Sequence, residues 1–140
     1  TRVNHQLIYG GIDKKNSLNS SIAVSLANDD RFVPKNKKGF VWGQMINHKD
    51  YNSKIGFCFY SPQGNKEKLK IDFYNSRGFI KTIKKDLYPK ESLIISTNEI
   101  IKKKEFDFYW YIAKCERHDL SAYSVHFNKF SQNSSGEHNF

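Results

Sequence analysis

Methionine occurs once in this 140-residue chain, and leucine and alanine are sparse. That shortage of strong helix formers argues against a helical bundle. Arginine is confined to Arg2, Arg31, Arg77 and Arg117, so lysine carries most of the net charge of +9. Base reading and two-pronged phosphate clamping favour the planar guanidinium, so a sequence-reading nucleic-acid site is not indicated. No stretch approaches the roughly 18 consecutive apolar residues of a membrane-spanning helix. The chain starts at Thr1 with neither a signal peptide nor an initiating Met, as expected of a processed product or an excised fragment. Cys58 and Cys115 lack a metal or redox spacing. A disulfide between them would need an oxidising compartment and a geometry that sequence does not fix. There is no G-x-S-x-G, H-E-x-x-H, phosphate-binding glycine loop or Cys-x-x-Cys. No cofactor is implied, and a catalytic site here would have to assemble from distant residues.

What the chain has is rings. Eleven Phe, eight Tyr and two Trp bring the aromatic share to 15% within an apolar fraction of 38%. Aromatic and β-branched side chains suit the half-buried surface of a sheet. A length of 140 residues fits one domain, 1–140, with an irregular lead-in over about 1–19 and a polar tail over about 131–140. Lys, Asn, Ile, Phe and Tyr, all abundant, share A/T-rich codons, so the basic balance reads first as a solvated lysine surface.

Period-two alternation predicts the strands. A short strand is expected at Gln6 to Tyr9, and a clearer one at Ser20 to Ala27, where Ile22, Val24 and Leu26 share a face. Asn28-Asp29-Asp30 reads as a turn and Val33 to Gly39 as a charged loop. Phe40 to Ile46 is apolar on both faces and reads as a central strand. A meander then follows through Ile55 to Tyr60, Lys68 to Tyr74 and Phe79 to Lys84, with Pro62, Gly64 and Gly78 in its turns. Leu93 to Ser96 is a short strand, and Thr97-Asn98-Glu99 starts a helical turn. Phe106 to Lys114 and Leu120 to Phe130 complete seven or eight strands, with no internal repeat. The fold class is therefore all-β, an antiparallel two-sheet sandwich, immunoglobulin-like or jelly-roll-like. Its expected core comprises Ile22, Val24, Leu26, Phe57, Phe59, Leu69, Ile71, Phe73, Phe106, Phe108 and Trp110.

The order strand, Gly turn, strand, then Leu87-x-Pro89-x-x-Ser92 into another strand, resembles the immunoglobulin-like sandwiches of bacterial envelope and adhesion proteins. The resemblance covers Ile55 to Ser96, without the Cys and Trp framework of antibody domains. It implies a module that binds or spaces, in a secreted or cell-envelope setting.

If the last two strands form a hairpin across Cys115 to Asp119, Lys114 pairs with Leu120. Phe106, Phe108, Trp110 and Ile112 then share a face with Leu120, Ala122, Ser124 and His126. Asp107, Tyr109 and Tyr111 lie on the other face with Tyr123, Val125 and Phe127. Both faces are apolar, so either the lead-in or tail covers the second, or it awaits a partner. On the latter reading Tyr109, Tyr111, Tyr123, Asp107 and Phe127 are ligand-binding residues, since phenol rings combine apolar area with a polar tip. The ligand is then a carbohydrate, a partner protein or a second copy of the chain.

Two other readings stand beside this binding module. One is a sequence-indifferent nucleic-acid binder in which Lys66, Lys68, Lys70, Lys81, Lys84 and Lys85 flank the meander and Tyr74 or Phe79 stacks a base. The other is an enzyme with a dispersed site around His126. Of the five histidines, His5, His48 and His118 sit in separate loop-like segments. No metal site is expected, since nothing in the spacing of His126, Glu137 and His138 enforces a ligand set. Asn19-Ser20-Ser21 and Asn133-Ser134-Ser135 match the glycosylation acceptor pattern.

Overall fold

Leu69, Ile71 and Phe73 alternate with Lys68, Lys70 and Asp72, and there the chain is extended, with the first three side chains fully buried. The computed structural model describes residues 38–102, 107–130 and 135–136, together with the backbone of 2–9, 20–27, 134 and 137–139. Among the described residues there are ten strands: β1 (Arg2–Tyr9), β2 (Ser20–Ala27), β3 (Gly39–Ile46), β4 (Tyr51–Phe59), β5 (Glu67–Asn75), β6 (Gly78–Leu87), β7 (Leu93–Ser96), β8 (Phe108–Cys115), β9 (Leu120–Asn128) and β10 (Ser134–Asn139). A single helical turn, α1 (Thr97–Ile100), follows β7 as the sequence predicts. Among the described residues no helix is long and apolar enough to cross a membrane.

β1 and β2 pair with each other from Arg2 opposite Ala27 to Tyr9 opposite Ser20. The other eight strands make two four-stranded antiparallel sheets, ordered β3-β8-β5-β6 and β10-β9-β4-β7. From β3 onward only the β5–β6 and β9–β10 links join neighbours within a sheet; every other link crosses to the opposite sheet. That is jelly-roll winding, which closes a two-sheet sandwich over one core. At the core's centre Tyr111 meets Phe57 edge-on, with ring centroids 5.4 Å apart, and Phe73 at 6.4 Å. Ile55, Leu69, Ile71, Leu87, Ala113 and Ala122 fill the space around them.

Several expectations are corrected by this winding. The meander is broken, because β4 pairs with β7 and β9 and only β5–β6 is a hairpin. β8 and β9 are not a hairpin either: Lys114 stands opposite Phe40 and Lys70, and Leu120 opposite Phe59. Residues 116–119 carry the chain across the sandwich, held by Tyr60 N–H donating to the Asp119 carbonyl at 3.0 Å. β8 and β9 therefore lie in opposite sheets, and a register obtained by pairing them side by side inverts β8. Tyr109 and Tyr111 point inward at 3% and 0% exposure, while Phe108, expected in the core, is 65% exposed and Trp110 lies on the outer face. For β9 the division holds, with Leu120, Ala122, Ser124 and His126 all buried.

β3 is an edge strand, not a central one. Its free edge is met by serines of the opposite sheet: Ser124 Oγ donates to the Gln44 carbonyl at 3.2 Å, and Ser53 Oγ both accepts from Ile46 N–H (2.8 Å) and donates to the Ile46 carbonyl (2.9 Å). This accounts for two of the fully buried hydroxyls, those of Ser53 and Ser124, since a buried backbone group without a partner is costly. The polar tail also departs from expectation, as six of its residues form β10 against β9. Backbone pairing needs no apolar alternation, which is why composition hides it. Phe57, Phe59, Leu69, Ile71 and Phe73 are buried as predicted. The side chains of Ile22, Val24 and Leu26, and all of Phe106, lie outside the described residues.

Candidate functional site

The outer face of the β3-β8-β5-β6 sheet carries four of the seven exposed rings among the described residues, Phe40, Trp42, Phe79 and Phe108. Strand registry sets them in rows across the sheet. One row runs Gln44, Trp110, Tyr74, Phe79; the next Trp42, Ile112, Asp72, Thr82; and the third Phe40, Lys114, Lys70, Lys84. Tyr74 stacks on Trp110 with centroids 5.8 Å apart and an 8° interplanar angle, and Phe79 closes on Tyr74 edge-on at 5.7 Å. Phe40 is 52%, Trp42 46% and Phe79 60% exposed. A concavity of about 340 Å³ opens between β3 and β8, lined by Phe40, Trp42, Gln44, Phe108, Trp110 and Ile112.

A local irregularity completes the aromatic row. Phe73 stands opposite Lys81 but Tyr74 opposite Phe79, so Ile80 is the extra residue of a bulge. Bulges re-aim side chains. Here Ile80 packs against the core and Phe79 stands beside Tyr74 on the outer face. The hairpin turn just beyond uses Gly78 at φ 116°, a conformation side-chain-bearing residues rarely adopt, and Asn75 Oδ1 accepts from Arg77 N–H at 3.0 Å.

The polar groups of this face are Lys68, Lys70, Lys84 and Lys114 together with Gln44, Asp72, Thr82 and Asp86. Lys84, Lys70 and Lys114 occupy directly opposed positions on three neighbouring strands. Lys70 Nζ reaches Asp72 at 3.0 Å, and Lys114 Nζ lies 5.7 Å from the Phe40 ring centroid. Burial pushes the Asp72 carboxyl up, but hydrogen bonds from Thr82 and Lys70 and the charges of Lys70 and Lys114 outweigh it and hold the group below its ordinary value. Of the six lysines named from sequence, Lys68, Lys70 and Lys84 share this face. Lys81 and Lys85 stand opposite the inward Phe73 and Leu69, and Lys66 precedes β5 and pairs with Asp86 at 3.3 Å.

The residues predicted as a tyrosine platform are dispersed. Tyr109 and Tyr111 are core, and Asp107 lies just before β8, its carboxyl held below the ordinary value chiefly by the Ser76 hydroxyl. Tyr123 and Phe127 lie on the outer face of the other sheet, in a trough of about 230 Å³ with Lys54, Cys58, Ile94 and Val125. Gly56 forms its floor, opposite both Ile94 and Tyr123. Both cysteines are free thiols. Burial pushes the Cys58 thiol up, and Cys115 to about 11.

His126 stands opposite Ser53 and is 5% exposed, with Nδ1 2.6 Å from Ser53 Oγ. Because that hydroxyl gives its proton to the Ile46 carbonyl, Nδ1 is the donor to it. Ser53 is thus committed to β3 and to His126 together, and neither residue lines either concavity described above. The register sets Glu137 opposite Ser124 and His138 opposite Tyr123; their side chains lie outside the described residues. Compared with protein-family models, with curated proteins and with solved structures, the chain matches none.

Proposed function

We propose that this domain is a non-catalytic binding module whose ligand lies on the outer face of the β3-β8-β5-β6 sheet. The observation that carries this reading is the exposure of Phe40, Trp42, Phe79 and Phe108 around the stacked Tyr74–Trp110 pair on one sheet face. Single exposed apolar residues need no explanation, but a contiguous aromatic surface rimmed by charge is the form of an interaction site. A carbohydrate, a protein partner, a second copy of the chain or a single-stranded nucleic acid each offers a flat apolar surface that such a face accepts.

The chain supplies its own reporter, because its only two tryptophans, Trp42 and Trp110, both lie here. Titration with neutral and acidic polysaccharides and with single-stranded oligonucleotides, read by tryptophan emission, is expected to find a ligand whose binding perturbs that emission and weakens in Trp42→Ala. Analytical ultracentrifugation adds the self-association arm. Binding that leaves emission unchanged and survives Trp42→Ala would place the ligand elsewhere and end the proposal.

A further inference from the structure

Resting on that reading of the sheet face, we infer that its occupant is single-stranded nucleic acid, bound without regard to sequence. The Lys84-Lys70-Lys114 row is the first reason. Like charges directly opposite on neighbouring strands repel. Among the described residues Lys70 forms an ion pair with Asp72, whose charge Lys114 also feels from further off, while Lys84 forms none. A polyanion laid across the three strands turns this repulsion into attraction and releases its own counterions.

The aromatic row is the second. It lies four residues further along β5 and β8, and five along the bulged β6, about 13–14 Å away at the usual rise of ~3.4 Å per residue. A strand of nucleic acid crossing the sheet places phosphates over the lysines and turns its bases toward Trp110, Tyr74, Phe79 and the exposed Trp42, which stands between the rows. Every base has a π-face, so stacking of this kind is indifferent to sequence. The scarcity of arginine fits the same reading, since lysine meets phosphate as a point charge and lacks the fork that reads guanine.

The polar complement of the face tells against a sugar polymer. Hydroxyl recognition requires hydrogen-bonding groups beside the rings. Here Phe40, Phe79 and Phe108 have no polar tip, and Asp72 is 8% exposed and engaged by Thr82 and Lys70. Gln44, the Tyr74 hydroxyl and the Trp42 ring N–H are the few uncharged polar groups set among these rings.

The experiment titrates the full chain into a 5′-labelled oligo(dT) at several salt concentrations, following anisotropy and tryptophan emission together. Heparin and a neutral glucan serve as parallel ligands. Saturable binding at low salt with perturbed emission is expected. Trp42→Ala and Phe79→Ala, each checked for an unchanged melting profile, are expected to weaken it about tenfold, the usual loss of one base-stacking partner. Lys84→Gln with Lys114→Gln is expected to flatten the salt dependence by about 1.4 in log–log slope, at ~0.7 per phosphate contact. If oligo(dT) does not bind, or binds equally to both ring variants, the inference is overturned. If heparin or the glucan perturbs tryptophan emission while oligo(dT) does not, the nucleic-acid assignment falls and the binding face stands. If no probe perturbs emission, both fall.

Discussion

The guanidinium of Arg117 grips the carboxylate of Asp119 through two hydrogen bonds, Nε to Oδ1 at 2.8 Å and Nη2 to Oδ2 at 2.6 Å. Both residues sit in the link that carries the chain from β8 to β9. The same guanidinium donates to the carbonyls of Ser61 (3.2 Å) and Gln63 (2.8 Å), and lies 4.1 Å over the Phe59 ring. Asp119 Oδ2 accepts from Ser61 N–H at 3.0 Å. Two sheet-crossing links, β4–β5 and β8–β9, are thereby fastened at one end of the sandwich.

Because the pair is largely withdrawn from water, removing one member strands the other. Arg117→Ala is expected to destabilise the domain by about 2–4 kcal/mol. Arg117→Lys is expected to recover only part of this, since a lysine keeps the charge and loses the fork. Urea denaturation of the three proteins checks the ranking, and equal midpoints for Lys and Arg would show that charge alone matters.

The pair also sets an acid sensitivity. Burial pushes the Asp119 carboxyl up, but the Arg117 hydrogen bonds, the Ser61 N–H and the Arg117 charge hold it below its ordinary value of 3.8. A carboxylate depressed in the folded state contributes stability that is fully present above its unfolded value and is lost as pH falls through the folded one. Stability from this group is therefore expected to be flat above about pH 5 and to decline below pH ~4. Asp119→Asn is expected to lower the plateau and to remove this group's share of the decline, as read by melting temperature against pH.

The inner and outer faces of β8 give a direct exchange experiment. Tyr111 is fully buried between Phe57 and Phe73, whereas Trp110 is half-buried beneath Tyr74 on the outer face. Tyr111→Ala is expected to cost about 3–5 kcal/mol. Trp110→Ala forfeits a stacked pair and some area, about 1–2 kcal/mol. The assignment of faces is wrong if thermal denaturation ranks the two variants the other way.

Much of the architecture is legible from alternation alone: β2, β7 and α1 start where the sequence puts them, and Leu69, Ile71 and Phe73 are core because Lys68 and Lys70 mark the other face as wet. β8 lacks so plain a contrast, since Phe108, Trp110 and Ile112 are as apolar as Tyr109, Tyr111 and Ala113. Its sequence-level clue is Lys114, which shares parity with the first set, as Gln44 does with Phe40 and Trp42. Pairing strands by adjacency hides that clue, because a link pinned by Arg117 and Asp119 looks in sequence like any short hairpin loop. The aromatic face was in turn out of reach, since it depends on β3 and β5 flanking β8, which are non-local pairings, and on a one-residue bulge at Ile80.

Two glycines that look alike in sequence, each just before or within an aromatic strand, are expected to respond oppositely to a side chain. At Gly39 a Cβ would collide with the Arg117 carbonyl oxygen and come within 2.9 Å of Cys115 Sγ and 3.0 Å of Leu120 Cβ. The carbonyl belongs to the clamped 116–119 link and has little freedom to retreat. Gly39→Ala is therefore expected to destabilise by about 1–3 kcal/mol or more, the range of an overpacked interior. At Gly56 a Cβ meets nothing within 4 Å, because the residue floors the trough between Ile94 and Tyr123. A β-branched side chain there restricts the unfolded chain, suits an extended backbone and gains contact with its cross-strand neighbours. Gly56→Val is expected to raise stability by about 0.5–1 kcal/mol. Paired chemical-denaturation curves decide the matter: a neutral Gly39→Ala would mean that the 116–119 link yields, and a destabilised Gly56→Val would mean that the trough is closed by something packed against it.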